Sequence, residues 1–128
     1  MIRFYNFHFA SAHLYHQKAW SNEKNKEIFG ACFTPFGHGH NYRLHLGVDA
    51  KTNEALVHSQ IKPVLALLDH HHLNFDVPEF KDVVPTVVPT TENIALFIAE
   101  KIKSSIPGLQ VIRLYETPDL WAEVNFER

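Results

Sequence analysis

Asn41-Tyr42-Arg43-Leu44-His45-Leu46-Gly47-Val48 alternates strictly: Tyr42, Leu44, Leu46 and Val48 point to one side of an extended chain, Arg43 and His45 to the other. That is the pattern of a strand with one buried face. Directly before it stands Gly37-His38-Gly39-His40. Residues two apart on a strand share a face, so His38 and His40 can reach one point, and Gly39 leaves room for the approach. His45 differs from both by an odd number and is expected to face away.

Upstream, residues 2 to 12 alternate and are rich in aromatics, which suits a first strand ending near His13. Between Leu14 and about Phe36 the periodicity is lost. Asn22 to Lys26 are polar and Gly30, Pro35 and Gly37 break the chain, so this is read as a long loop with at most one helical turn. Loops of that length inside a small domain are often functional.

Downstream, Ser59 can cap a helix with Ile61, Val64, Leu65 and Leu68 on one stripe, Pro63 lying in its first turn. Thr90 can cap a second helix that carries Ile94, Phe97, Ile98 and Ile102 and runs to about Ser105. Two short alternating runs, Gln110 to Glu116 and Trp121 to Phe126, flank Thr117-Pro118-Asp119 as a closing hairpin. The order strand, strand, helix, helix, strand, strand predicts an α+β domain with an antiparallel four-stranded sheet and two helices on one face.

The chain has 128 residues, 45% of them hydrophobic and 20% charged, which predicts one globular domain over residues 1–128. A net charge of -2 gives no footprint for nucleic acid or anionic lipid. No run is long and apolar enough for a membrane span, and the N-terminus alternates where a signal peptide would be continuously apolar, so a cytosolic protein is expected. The outlier is histidine, with 10 residues. Histidine is the commonest metal ligand and titrates nearest neutrality.

If the first two strands pair across the long loop, His13 arrives beside His38 and His40. A lone His-x-His matches by chance, whereas three imidazoles with one open position describe a catalytic zinc site. The single cysteine, Cys32, is either a small core residue or, beside a dication or a protonated histidine, a thiolate base of lowered pKa. Asp69-His70 is either an acid-base pair or a helix C-terminal histidine beside a solvated carboxylate. Glu116 is either a solvated strand end or a carboxylate that accepts two parallel hydrogen bonds from a guanidine-like edge. A three-histidine zinc hydrolase would need no thiol, and Cys32 argues against that class.

Together Phe9-Ala10-Ser11-Ala12-His13, Phe29-Gly30-Ala31-Cys32, Gly37-His38-Gly39-His40-Asn41-Tyr42, Leu68-Asp69-His70, Pro89-Thr90-Thr91-Glu92-Asn93 and Tyr115-Glu116-Thr117 resemble the 6-pyruvoyl tetrahydropterin synthase family, which includes the 6-carboxytetrahydropterin synthases. The resemblance implies the tunnelling fold, trimers closing a barrel, two trimers stacked as a homo-hexamer, and active sites between subunits. It implies zinc on His13, His38 and His40, Cys32 as base, and Asp69 and His70 as its proton relay. Glu116 would anchor a pterin substrate, with Thr90, Thr91 and Glu92 near the ring. The implied reaction converts 7,8-dihydroneopterin triphosphate to 6-pyruvoyl tetrahydropterin with loss of triphosphate. The carboxy branch, which serves queuosine and deazapurine synthesis, instead cleaves the side chain and releases acetaldehyde. The five residues Phe33 to Gly37 between Cys32 and His38 resemble the longer spacer of the pyruvoyl branch. A noncatalytic relative that keeps the zinc and pterin pocket is the remaining alternative.

Strand parity makes a direct prediction. His38→Ala or His40→Ala should strip bound metal from the purified protein, whereas His45→Ala should leave it, as metal analysis of the three variants will show; equal loss in all three defeats the parity argument.

Overall fold

The computed structural model describes residues 1–34, 36–81 and 84–126. Strands β1 (Ile2–His13) and β2 (His38–Asp49) pair antiparallel over their whole length, from Ile2 opposite Asp49 to His13 opposite His38. Directly opposed residues share a face, so Tyr5, Phe7 and Phe9 stand with Leu46, Leu44 and Tyr42.

The sheet corrects one expectation: it has five strands and is mixed. Strand β3 (His71–His72) runs parallel to β1 at the edge, and the order is β3-β1-β2-β4-β5. Two residues carry no alternation, so no sequence pattern announces this strand. Backbone geometry makes it instead: His70 adopts φ 60, in the left-handed region, and donates its N–H to the Ala10 carbonyl at 2.6 Å, which lays the next two residues beside β1. Strands β4 (Leu109–Thr117) and β5 (Leu120–Asn125) form the expected hairpin, antiparallel to each other and, through β4, to β2.

The helices also differ in part from expectation. Helix α1 (Asn22–Phe29) occupies the segment read as loop, capped by Ser21, whose hydroxyl accepts from the Lys24 N–H. It shows no apolar stripe because its one buried residue is Asn25, whose carboxamide accepts from Gln17 N–H and donates to the carbonyls of Gln17 and Ser21. Helix α2 (Glu54–Leu68) starts well before Ser59: Asn53 is the cap, accepting from the Ala55 and Leu56 N–H groups, and the Ser59 hydroxyl merely donates to the Leu56 carbonyl. Pro63 therefore lies in the helix interior, on its exposed face, where solvent can satisfy the Ser59 carbonyl that loses a partner. Helix α3 (Leu73–Asp76) is one turn, and helix α4 (Thr91–Ile102) carries the expected Thr90 cap.

Helices α2 and α4 cover one face of the sheet. Val57, Ile61, Val64 and Leu68 from α2 and Ile94, Ala95, Ile98 and Ile102 from α4 are buried in one cluster with Leu44, Leu46, Ile112 and Leu114. At ~1.5–3 kcal/mol per fully buried large aliphatic side chain, this layer is the main stabilising contribution. Among the described residues no helix is long and apolar enough to cross a membrane.

Removing the true cap should cost stability where removing the expected one does not. Asn53→Ala is expected to lower unfolding free energy by ~1 kcal/mol, and Ser59→Ala to change it by less than ~0.5 kcal/mol, both read from urea denaturation.

Candidate active site

The β1–β2 register carries the centre of the site. His13 lies opposite His38 and Ser11 opposite His40, so the three histidines share the helix-covered face at the end of the strand pair. One ring nitrogen from each lies within 4.8 Å of the others, and together they form a group able to hold a metal ion. The parity expectation holds, since His45 pairs with Asn6 and Arg113 on the opposite face.

Hydrogen bonding prepares His13 as a ligand. Its Nδ1 lies 2.9 Å from the Pro89 carbonyl, which can only accept, so Nδ1 carries the proton and Nε2 presents its lone pair. Burial holds the His13 pKa down at about 4, against a smaller upward effect of the Pro89 contact, and the neighbouring His38 and His40 lower it further. Burial likewise lowers His38, followed by the effect of His40. Neutral imidazole is the form a metal requires.

The site fits a cation on its own chemistry. The His13 Nε2 lone pair faces His38 Nε2 at 3.2 Å and Glu116 Oε1 at 3.5 Å, and the same carboxylate oxygen lies 3.7 Å from His40 Nε2. His40 Nε2 is buried with no hydrogen-bond partner in the protein. Buried acceptors crowded around one point lack a positive charge, which a bound metal supplies.

Glu116 is 8% exposed at the end of β4, beneath Tyr42, whose hydroxyl donates to it at 3.5 Å and stands 3.2 Å from His13 Nδ1. It therefore belongs to the buried site, and the solvated-strand-end reading does not hold. Tyr42 is fully buried and stacks on Phe9 at 4.9 Å, joining the site floor to the core. Burial, then the Glu116 charge, raises the Tyr42 pKa and keeps its hydroxyl protonated.

Cys32 ends a 3-10 turn after α1, half-buried, with its carbonyl accepting from the Tyr15 N–H at 2.9 Å. Burial first, and then Glu116, pushes its thiol pKa up. The protein alone thus opposes the lowered pKa expected beside a dication, because burial disfavours the thiolate and the nearby Glu116 charge is negative. Tyr15 is a site residue that motif reading missed. Its ring meets His13 edge-on at 5.1 Å, and its pKa is raised by burial and then by Glu116, Cys32 and Glu92. Its spacing of two from His13 was the available signal; the Pro89 carbonyl had none.

Asp69 and His70 do form a pair, with Oδ2 to Nδ1 at 2.9 Å, and the other Asp69 oxygen accepts from the Ala10 N–H at 2.8 Å. That backbone bond, then the His70 contact, holds the Asp69 pKa below its usual value. His70 is 83% exposed and lines a groove of about 390 Å³ with Ala10, Ser11, Ala12, Gly39, His40 and Asn41. The pair is assembled, with His70 in a groove whose lining includes neither Cys32 nor Glu116. Of the α4 residues, Thr90 uses its hydroxyl on the Asn93 N–H, Thr91 Oγ1 is buried without a partner, and Glu92 is exposed in the first turn.

The depressed pKa of His13 sets a pH dependence. A buried imidazole that resists protonation contributes stability fully present above its unfolded pKa of 6.5 and lost as pH falls toward about 4. Metal-free protein should therefore lose on the order of 2 kcal/mol between pH 7 and pH 5 from this group, measured by urea unfolding at the two pH values.

Comparison with known proteins agrees with this arrangement. A family model described as 6-pyruvoyl tetrahydropterin synthase matches residues 4–127. The chain is 36% identical over 120 residues to the 6-pyruvoyl tetrahydrobiopterin synthase of Pongo abelii, covering 85% of this chain and 80% of that protein. It is 34% identical over 127 residues to the Dictyostelium discoideum protein of the same name, covering 92% and 87%. The dihydroneopterin monophosphate aldolase of Pyrococcus furiosus is 31% identical over 98 residues, 70% of this chain and 78% of that protein. The structure of Caenorhabditis elegans 6-pyruvoyl tetrahydropterin synthase matches with a TM-score of 0.88 at 30% identity, across 99% of this chain and 96% of that one. With the family model spanning nearly its whole length, the chain belongs to the 6-pyruvoyl tetrahydropterin synthase family.

Proposed function

We propose that this protein is a zinc-dependent lyase converting 7,8-dihydroneopterin triphosphate to 6-pyruvoyl tetrahydropterin with release of triphosphate. The observation that carries the reading is the convergence of His13, His38 and His40 on the Glu116 carboxylate, in a chain whose relatives over 85% of its length bear the synthase name. Three imidazoles suit a catalytic zinc, which when bound supplies Lewis-acid polarisation of the substrate's side-chain hydroxyls.

The chain's own residues do the rest. Glu116, buried and held by Tyr42, accepts the paired N–H groups of the pterin's amino-pyrimidinone edge, with Thr91 and Glu92 beside the ring and Thr90 holding the start of α4. Cys32 acts as thiolate base toward a carbon-bound side-chain proton. Asp69 and His70 return that proton while the bond to triphosphate breaks. The pterin ring is reduced by electrons from its own side chain, so no external reductant takes part. The setting of His70, paired with Asp69, in an exposed groove that includes neither Cys32 nor Glu116 favours a relay completed between subunits, in a homo-hexamer built as two stacked trimers in the cytosol.

The test is product identification after incubating zinc-loaded protein with 7,8-dihydroneopterin triphosphate. 6-Pyruvoyl tetrahydropterin and one triphosphate per turnover are expected. Cys32→Ala should retain zinc and lose ~100-fold to 10,000-fold in turnover. Acetaldehyde in proportion to triphosphate would instead place the protein in the side-chain-cleaving branch, and the absence of any turnover would make it a binding relative.

A further inference from the structure

The segment between Cys32 and His38 joins the thiol to the first histidine of the His-Gly-His run, and its described residues are fastened at both ends. At its start the Tyr15 N–H holds the Cys32 carbonyl at 2.9 Å, and the Phe33 ring stacks on His16 at 5.5 Å with planes 14° apart. At its end Gly37 has φ 76 and lies so close to β1 that a Cβ there would stand 2.1 Å from the His13 carbonyl oxygen. No other residue type fits that backbone at that approach.

Between these anchors, among the described residues, a hydrogen bond comes from outside the segment. The Phe36 carbonyl lies 2.8 Å from His72 Nε2, while the Phe36 ring is 82% exposed, so the backbone and not the side chain holds the loop at this point. His72 is itself well placed. Its residue pairs beside Ala12 in β3, its N–H donates to Asp76 Oδ2 at 2.9 Å, and its ring stacks on Phe75 at 4.2 Å. A carbonyl can only accept, so Nε2 carries a proton; Nδ1 is buried without a partner, which suits a lone pair better than a second N–H. His72 therefore carries a proton on Nε2, and neither the metal centre nor the Asp69–His70 pair accounts for it.

We infer that His72 is a positioning residue, which by donating to the Phe36 carbonyl holds the Cys32–His38 segment in register and so sets where the Cys32 thiol stands relative to the metal centre. The inference rests on the reading of Cys32 as the base. Its physical basis is that displacing a reacting group by ~1 Å can cost ~100-fold in rate.

Two variants separate the donor from the packing. His72→Phe keeps a ring to stack on Phe75 and removes the donor, whereas His72→Gln keeps an N–H donor and removes the ring. On zinc-loaded protein with 7,8-dihydroneopterin triphosphate, His72→Phe is expected to lower kcat by ~10-fold to 100-fold, with zinc content and KM unchanged, and His72→Gln to recover most of the rate. The pH profile of Cys32 alkylation by iodoacetamide, which needs no pterin, should shift in His72→Phe and return in His72→Gln. Wild-type kcat and an unmoved alkylation profile in His72→Phe would overturn the inference, as would loss of rate in both variants alike. If His72→Phe does not fold, His72→Leu takes its place; loss of zinc or fold in both donor-less variants marks a structural residue and likewise overturns it. An inactive wild type would refute the lyase reading, and the alkylation profile would still judge His72.

Discussion

Everything in the site depends on the register of one pair of strands. His13 opposite His38 places three imidazoles on one face at one end of the sheet, and the same register puts Phe9 beside Tyr42 and carries the aromatic column into the core. A slip by one residue would send every side chain of one strand to the other face, separating the ligands and exposing Leu44 and Leu46 together. The hydrophobic layer under α2 and α4 thus enforces the metal geometry. The energy that aligns the ligands is the energy that folds the protein, and no local preference of the histidines is needed.

The second constraint is electrical. A protein that buries neutral imidazoles and a carboxylate around one point sets acceptors against acceptors, and the Pro89 carbonyl removes the freedom to relieve this by moving the His13 proton. Such a cluster is suited to a cation. The arrangement trades stability of the metal-free protein, which burial of His13 makes sensitive to acid, for a ligand set already in the required protonation state. The thiol of Cys32 shares this logic, since burial and the Glu116 charge oppose its ionisation in the absence of positive charge.

What was legible in the sequence follows from which interactions have a period. Strands β1, β2, β4 and β5 alternate, and α4 announces itself by a stripe and a capping threonine, so these elements and the three-histidine face could be read directly. Helix α1 could not, because it is organised around one buried asparagine and not an apolar stripe. Strand β3 is too short to show a pattern and is set by the left-handed turn at His70. The start of α2 was misjudged because Pro63 suggested a first turn, while the exposed face of a longer helix tolerates it. The Pro89 carbonyl becomes visible only through a contact between segments distant in sequence, and Tyr15 through its ring contact with His13 two residues away.

The excursion that contains α1 and Cys32 has a further consequence. It leaves the sheet after His13 and returns at His38, and its interior is filled by the amide groups of Asn25, with Trp20 and Phe29 stacked alongside, and by little of the main core. The three histidines sit on strands whose order the core enforces, whereas the thiol rides on this separately organised insert. Such a division makes the chemistry modular. An altered or lengthened insert can bring a different side chain, at a different distance, to the unchanged three-histidine cluster, because its buried amide lies outside the apolar cluster that holds the strands. New reactions on this scaffold can therefore arise by exchange of one surface-facing segment, with the ligand strands inherited intact.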